Sequence, residues 1–180
     1  MKRELTGEST DLLRVVLPAA SRGDMDAVKR IVKADGDWAL AVGPHNRTML
    51  WEAARKGRLE VVKFLVGKGA NVDVAACYYS EHFVDIAAYC VARANGHAKV
   101  ADHLLMKGAV ADIYSMSYLG DTDSVTKELR KRPSLLHRDF GSSPRARKEY
   151  RATPLHYAVA GSAVETVRLL IGKGAEVVKP

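Results

Sequence analysis

The ten residues Val61-Val62-Lys63-Phe64-Leu65-Val66-Gly67-Lys68-Gly69-Ala70 return 105 positions later as Thr166-Val167-Arg168-Leu169-Leu170-Ile171-Gly172-Lys173-Gly174-Ala175. A third copy, Leu104-Leu105-Met106-Lys107-Gly108-Ala109, lies between them, 39 residues after the first. The long offset is three periods of about 35 residues, the length of a helical repeat that cannot bury its apolar face alone. Units of this kind stabilise one another by stacking. The chain is therefore expected to spread one core along a row of neighbours, and to bind across an exposed face rather than catalyse in a pocket.

Composition agrees with closely stacked helices. Apolar residues make up 47% of the 180 positions and aromatics only 7%, so Ala, Val and Leu must build the core. Cys77 and Cys90 are too few for a disulfide framework and lack metal-ligand spacing, which points to a reducing compartment and a cytoplasmic protein. The apolar run Leu12 to Leu17 is interrupted by Arg14 and is too short to span a membrane.

The clearest unit begins at Arg47-Thr48-Met49-Leu50. Met49, Leu50, Ala53 and Ala54 recur at helical spacing and form a candidate buried stripe. Gly57 ends this helix, where a left-handed residue is needed. A second helix is expected from Leu59 to Val66, with Leu59, Val62, Leu65 and Val66 inward and Gly67 and Gly69 as its stop. The last unit matches position by position: Thr153 is a good N-cap, Pro154 suits the first helical position, and Val164, Val167, Leu170 and Ile171 carry the second helix. Ser162 stands where the other units have glycine. In the first unit, Gly23 lies 34 residues before Gly57, and Pro18 predicts a helix that starts late or kinks. Turn positions 57, 96, 120 and 162 are spaced by 39, 24 and 42 residues. The fourth unit has thus lost its connecting finger, and the third and fifth have gained residues in theirs.

Thr153-Pro154-Leu155-His156-x-Ala158, followed by Val164-Glu165-x-Val167-x-Leu169-Leu170 and Gly174-Ala175, resembles an ankyrin repeat, and Thr48 to Ala70 is similar, with Met49 and Trp51 in place of proline and histidine. The resemblance runs from about Asp11 to Val178. It implies an all-α ankyrin-repeat solenoid of stacked helix-turn-helix units with short finger loops, one domain over 1–180 with repeats near 11–43, 44–76, 77–112, 113–141 and 142–180. It also implies that His156 hydrogen-bonds neighbouring backbone, and that fingers and first helices line a concave side.

On that geometry the first-helix ends offer Arg22, Arg55, Lys56, Tyr118 and Leu119 as partner contacts, and the second finger offers His45 and Arg47. Leu119 beside Tyr118 is expected as an exposed contact patch. The finger from Ala75 to Asp85 carries Tyr78, Tyr79, His82 and Phe83 where short polar residues are usual; these rings either anchor a partner or fold back over the stack. The net charge is +7, and nine Lys or Arg against three acids between Lys127 and Arg151 hold +6 of it. This segment reads as a solvated helix face followed by a loop, or as a surface for acidic groups using Arg145, Arg147, Lys148, Tyr150 and Arg151.

No catalytic constellation, phosphate loop, cofactor motif or metal-ligand spacing is present in the sequence. The expected function is a non-enzymatic protein-interaction module, acting as an adaptor, a targeting domain or a stoichiometric inhibitor on an acidic partner. Nucleic-acid or anionic-lipid binding through 127–151 is the alternative, with only Phe140 and Tyr150 available for base stacking. The chain stops at Val178-Lys179-Pro180, just after a last helix that reads like an internal one. Self-association or marginal solubility is expected, with either downstream sequence or another chain covering that end.

Overall fold

The computed structural model describes residues 7–77, 84–140 and 152–177, with side chains from Arg14 onward. Ten α-helices and one pair of two-residue strands lie among the described residues, in two compact units.

The first unit contains residues 7–77 and 86–110. Its helices are α1 (Gly7–Arg22), α2 (Met25–Ala34), α3 (Met49–Arg55), α4 (Leu59–Gly67), α5 (Ala88–Ala94) and α6 (Ala98–Met106). They pair as α1–α2, α3–α4 and α5–α6. In addition α3 packs against both α1 and α5, and α4 against both α2 and α6, so first helices form one row and second helices another. The turns follow the periodic glycines. Gly57 has φ +69°, and a Cβ added there would lie 2.6 Å from the His97 ring, so both backbone angle and neighbour require glycine. Caps are local: Thr48 Oγ1 accepts from the Trp51 amide (3.1 Å), and Asp24 Oδ1 from that of Ala27 (2.9 Å).

The expected stripe of α3 is buried at Met49, Leu50, Ala53 and Ala54, and Trp51 and Glu52 are buried with it. Helix α4 differs from the expectation in register. Val61, Val62 and Leu65 are buried, whereas Leu59 and Val66 are half-buried. With α2 on one side and α6 on the other, its covered arc includes position 61 as well. Gly67 is the last residue of α4 rather than its stop, and the reversal falls at Gly69 (φ +85°).

Pro18 does not delay α1, which runs from Gly7 through the proline to Arg22. An interior proline costs about 3 kcal/mol. Val16, Leu17, Ala19 and Ala20 are buried in a helix that packs on α3, and burying one Val or Leu contributes about 1.5–3 kcal/mol, so packing outweighs the lost hydrogen bond. The third finger also departs from a plain loop. Its ends form an antiparallel pair, β1 (Ala75–Ala76) and β2 (Ile86–Ala87), with Ala75 opposite Ala87 and Ala76 opposite Ile86.

The second unit contains residues 84–85, 111–140 and 152–177. Here α7 (Ile113–Leu119) packs on α8 (Thr122–Lys131) and on α9 (Pro154–Ala160), and α10 (Val164–Gly172) packs on α9 and α8. Its core gathers Ile113, Val125, Leu129, Leu155, Ala158 and Leu170. Only four residues separate Gly108 from α7, with Asp112 capping the helix by accepting from the Ser115 amide at 2.8 Å, which is the lost finger read from the spacing. Ser162 adopts φ +55°, supplying the left-handed turn without glycine. Gly161 is needed for another reason: a Cβ there would sit 1.9 Å from the Tyr118 carbonyl oxygen. On α10 the expected inward set is corrected. Leu170 is buried and Val167 half-buried, but Val164 and Ile171 are exposed, and Thr166 takes the buried place instead, its hydroxyl 2.9 Å from that of Thr122 on α8.

Candidate functional site

In the first unit the candidate surface is built on α3 and the finger before it. The finger closes on itself: the Gly43 amide donates to the Arg47 carbonyl at 2.8 Å, and the Arg47 amide to Pro44 at 3.2 Å. His45 and Asn46, at its tip, both have φ +59°, a conformation costly for side chains with a Cβ. The His45 carbonyl accepts from the Cys77 amide at 3.2 Å, tying this finger to the residue after β1. The His45 side chain is exposed.

Arg47 and Arg55 turn toward Glu52. Its side chain is 1% exposed; Arg47 Nε donates to Oε1 at 2.5 Å and Arg55 Nη2 to Oε2 at 3.0 Å. Burying a lone carboxylate costs several kcal/mol, and the two guanidinium groups at opposite oxygens offset that cost. The consequence is electrostatic: three charges sum to +1, and Arg55 does not add the full charge expected of it. The Arg55 guanidinium also lies 6.0 Å from the centre of the Trp51 ring. Trp51 is fully buried, and its Nε1 donates to the Ile86 carbonyl on β2 at 2.8 Å, so the residue in the histidine position holds the next finger. Arg22, at the end of α1, and Lys56, just past α3, are exposed. Arg58 reaches back to the Ser21 carbonyl with Nε at 2.9 Å, placing a cation at the C-terminal end of α1.

In the second unit three rings meet. Tyr114 and Phe140 lie edge-on at 5.0 Å, Tyr114 and Tyr157 at 5.3 Å, and Phe140 and Tyr157 at 5.6 Å. The Tyr157 hydroxyl donates to the Asp85 carbonyl at 2.9 Å, and that of Tyr114 to the Arg138 carbonyl at 3.2 Å. The Phe140 amide donates to the Ala152 carbonyl at 2.8 Å. The cluster therefore grips the return end of the third finger and both roots of the fifth. Burial pushes the Tyr114 hydroxyl up to about 12 and that of Tyr157 higher, so both remain donors at neutral pH. The residues between these roots that the sequence nominates, Tyr78, Tyr79, His82, Phe83, Arg145, Arg147, Lys148, Tyr150 and Arg151, lie outside the described residues.

Tyr118 and Leu119 are half-buried, which corrects the exposed patch expected there; the backbone of Tyr118 abuts Gly161. On α8 Lys127, Arg130 and Lys131 are exposed, as is Arg132 just after it. Glu128 accepts from Arg132 Nε at 2.9 Å, a hydrogen bond that holds its carboxyl below the usual range. His156 behaves as the motif implies: its Nδ1 accepts from the Thr153 amide at 3.2 Å. Among the described residues no group of His, Cys, Asp and Glu could hold a metal ion, and no helix is long and apolar enough to cross a membrane.

Sequence reasoning missed Glu52 and the aromatic cluster. A signal existed for the first, an acid inside an apolar helical stripe with arginines five residues before and three after. None existed for the second, whose rings come from positions 114, 140 and 157 on separate elements.

A family model described as ankyrin repeats in three copies matches residues 18–117, and a single ankyrin-repeat model matches 150–179. The chain is 31% identical over 98 residues, 54% of its length, to the ankyrin repeat and KH domain-containing protein mask-1 of Caenorhabditis elegans, and the match spans only 4% of that protein. Among solved structures it is similar to the human ASB11 ankyrin repeat domain, with 23% identity, TM-score 0.47, and coverage of 90% of this chain and 70% of that one. It is also similar to a chain in the structure of the Bd0816 predatory endopeptidase of Bdellovibrio bacteriovorus in complex with immunity protein Bd3460, with 25% identity, TM-score 0.49, and coverage of 90% and 82%.

Proposed function

Because the chain belongs to the ankyrin-repeat family, we propose that it is a non-catalytic module that holds one partner protein of acidic character through first-helix ends and fingers. Ankyrin repeats are generally protein–protein interaction modules. The observation that carries the acidic preference is the set of cations on the first unit: Arg22 and Lys56 are exposed, and Arg47 and Arg55 are oriented around Glu52. Charges arranged in this way steer encounter with an opposite surface. An adaptor, a targeting domain and a stoichiometric inhibitor would all use this chemistry. We place the protein in the cytoplasm on its cysteine usage. Nucleic acid or anionic lipid is the less favoured partner, because the Phe140 ring packs against Tyr114 and Tyr157 instead of offering a face for base stacking.

The test is affinity capture followed by calorimetric titration of the captured protein. Arg22→Glu with Lys56→Glu should weaken saturable binding by about tenfold or more, while circular dichroism shows the helical signal of the wild type. Absence of any saturable protein partner, or affinity indifferent to the charge reversal, would overturn the reading.

A further inference from the structure

The second and third fingers of the first unit are tied to one another and to one buried carboxylate. The second finger turns at Pro44-His45-Asn46-Arg47, and both central residues have φ +59°. Mirror-image turns of this kind are dominated by Gly, Asn and Asp, and His45 is none of these. The turn is therefore held by its surroundings rather than by local preference.

Two contacts hold it. On one side Arg47 donates from Nε to Oε1 of Glu52, whose side chain is 1% exposed and whose other oxygen is taken by Arg55. On the other side the His45 carbonyl accepts from the Cys77 amide at 3.2 Å. Cys77 directly follows β1, and β1 pairs with β2 across the third finger. Each of these strands has two residues, too few to hold a finger alone. The Ile86 carbonyl on β2 is instead fixed by Trp51 Nε1 at 2.8 Å, and Trp51 precedes Glu52 on α3. The contacts thus close a ring that leaves α3 at Glu52, passes through both fingers and returns at Trp51.

We propose that the second and third fingers form one preorganised edge for the partner protein, with Glu52 as its positioning residue. Glu52 is buried, so it acts on the partner through Arg47 rather than by touching it. A surface fixed in advance loses less freedom on binding, which is what the ring supplies. The inference rests on the partner-binding reading and adds which segments of that surface act together. It also separates placement from charge. Removing the Glu52 carboxylate adds one unit of positive charge, and steering alone then favours an acidic partner. Positioning gives the opposite sign, because the fingers lose their common support.

The test has two arms. The first is hydrogen exchange of the chain alone. Arg47→Gln should speed exchange of the Cys77 amide about tenfold, although the two residues are on different fingers. The His97 amide, which donates to the Ala92 carbonyl at 2.9 Å in the same unit, should keep its wild-type rate and so excludes general loosening. An unchanged Cys77 amide, or equal acceleration at His97, would overturn the coupling. The second arm is binding of the captured partner protein to Glu52→Gln, measured where circular dichroism shows the helical signal of the wild type. Affinity should fall about tenfold through faster dissociation, with association no slower. Tighter binding by Glu52→Gln would mean that charge and not placement governs the surface. Absence of any partner removes the contact role together with the partner-binding reading, while the exchange rates still decide whether the fingers are joined.

Discussion

Arg55 closes over the buried carboxylate of Glu52, its Nη2 donating to Oε2 at 3.0 Å. That contact turns a surface-looking cation into part of the support of α3. Glu52→Gln should destabilise the protein by about 3 kcal/mol, because two guanidinium groups then share a site with no anion. Arg55→Ala should cost more than Arg47→Ala. Arg55 is 13% exposed and Arg47 33%, so water replaces Arg47 more readily. Urea unfolding of the three variants measures this, and a reversed order of the two arginines would contradict the assignment.

Gly161→Ala should destabilise by about 1–3 kcal/mol or more, since the new Cβ meets the backbone of Tyr118, which cannot swing aside as a side chain would. Gly36→Ala, where nothing lies within 4 Å and φ is ordinary, should be neutral or slightly stabilising. Thermal melts of the pair separate close approach from a general glycine effect.

Tyr157→Phe should cost about 1 kcal/mol, the net value of one hydrogen bond, by removing the hydroxyl from the Asp85 carbonyl while keeping the ring against Tyr114 and Phe140. Tyr157→Ala should cost about 3–5 kcal/mol, because the ring goes too. Equal losses in denaturant titrations of the two variants would mean that the hydroxyl, not the ring, holds the cluster.

His103 lends the first unit a pH dependence. Its Nε2 is buried without a partner, and burial, with Lys107 and Lys63 nearby and Glu60 opposing them, lowers its pKa. Protonation therefore favours the unfolded chain. The contribution is complete above the unfolded value of about 6.5 and is lost as pH falls from there through the depressed folded value. His103→Leu should flatten the stability profile in that window; a profile unchanged from wild type would exclude His103 as its source.

Much of the architecture could be read from the chain because its cause is local. Helical spacing set out α3 and α4, and Gly57 and Ser162 occupy left-handed turns where the pattern placed them. His156 bonds the Thr153 amide three residues away. Trp51 looked like a simple replacement for that histidine, yet its indole reaches Ile86, 35 residues onward, and no local pattern encodes that distance. Phe140 looked like a ring within a basic stretch and turned out to join Tyr114 and Tyr157.

By itself the sequence determined the repeat, its turns and its caps, since hydrogen bonds and backbone angles within a dozen residues decide them. Only the tertiary structure decided which charges face solvent and which apolar residues are covered. Glu52 and Glu165 are both helical glutamates, but one is enclosed by Arg47, Arg55 and the α3 packing and the other stands in water. Val62 and Val167 occupy equivalent positions, but among the described residues only the first lies beneath a following helix pair. Burial is a property of neighbours, and neighbours are chosen by the stack rather than by the segment.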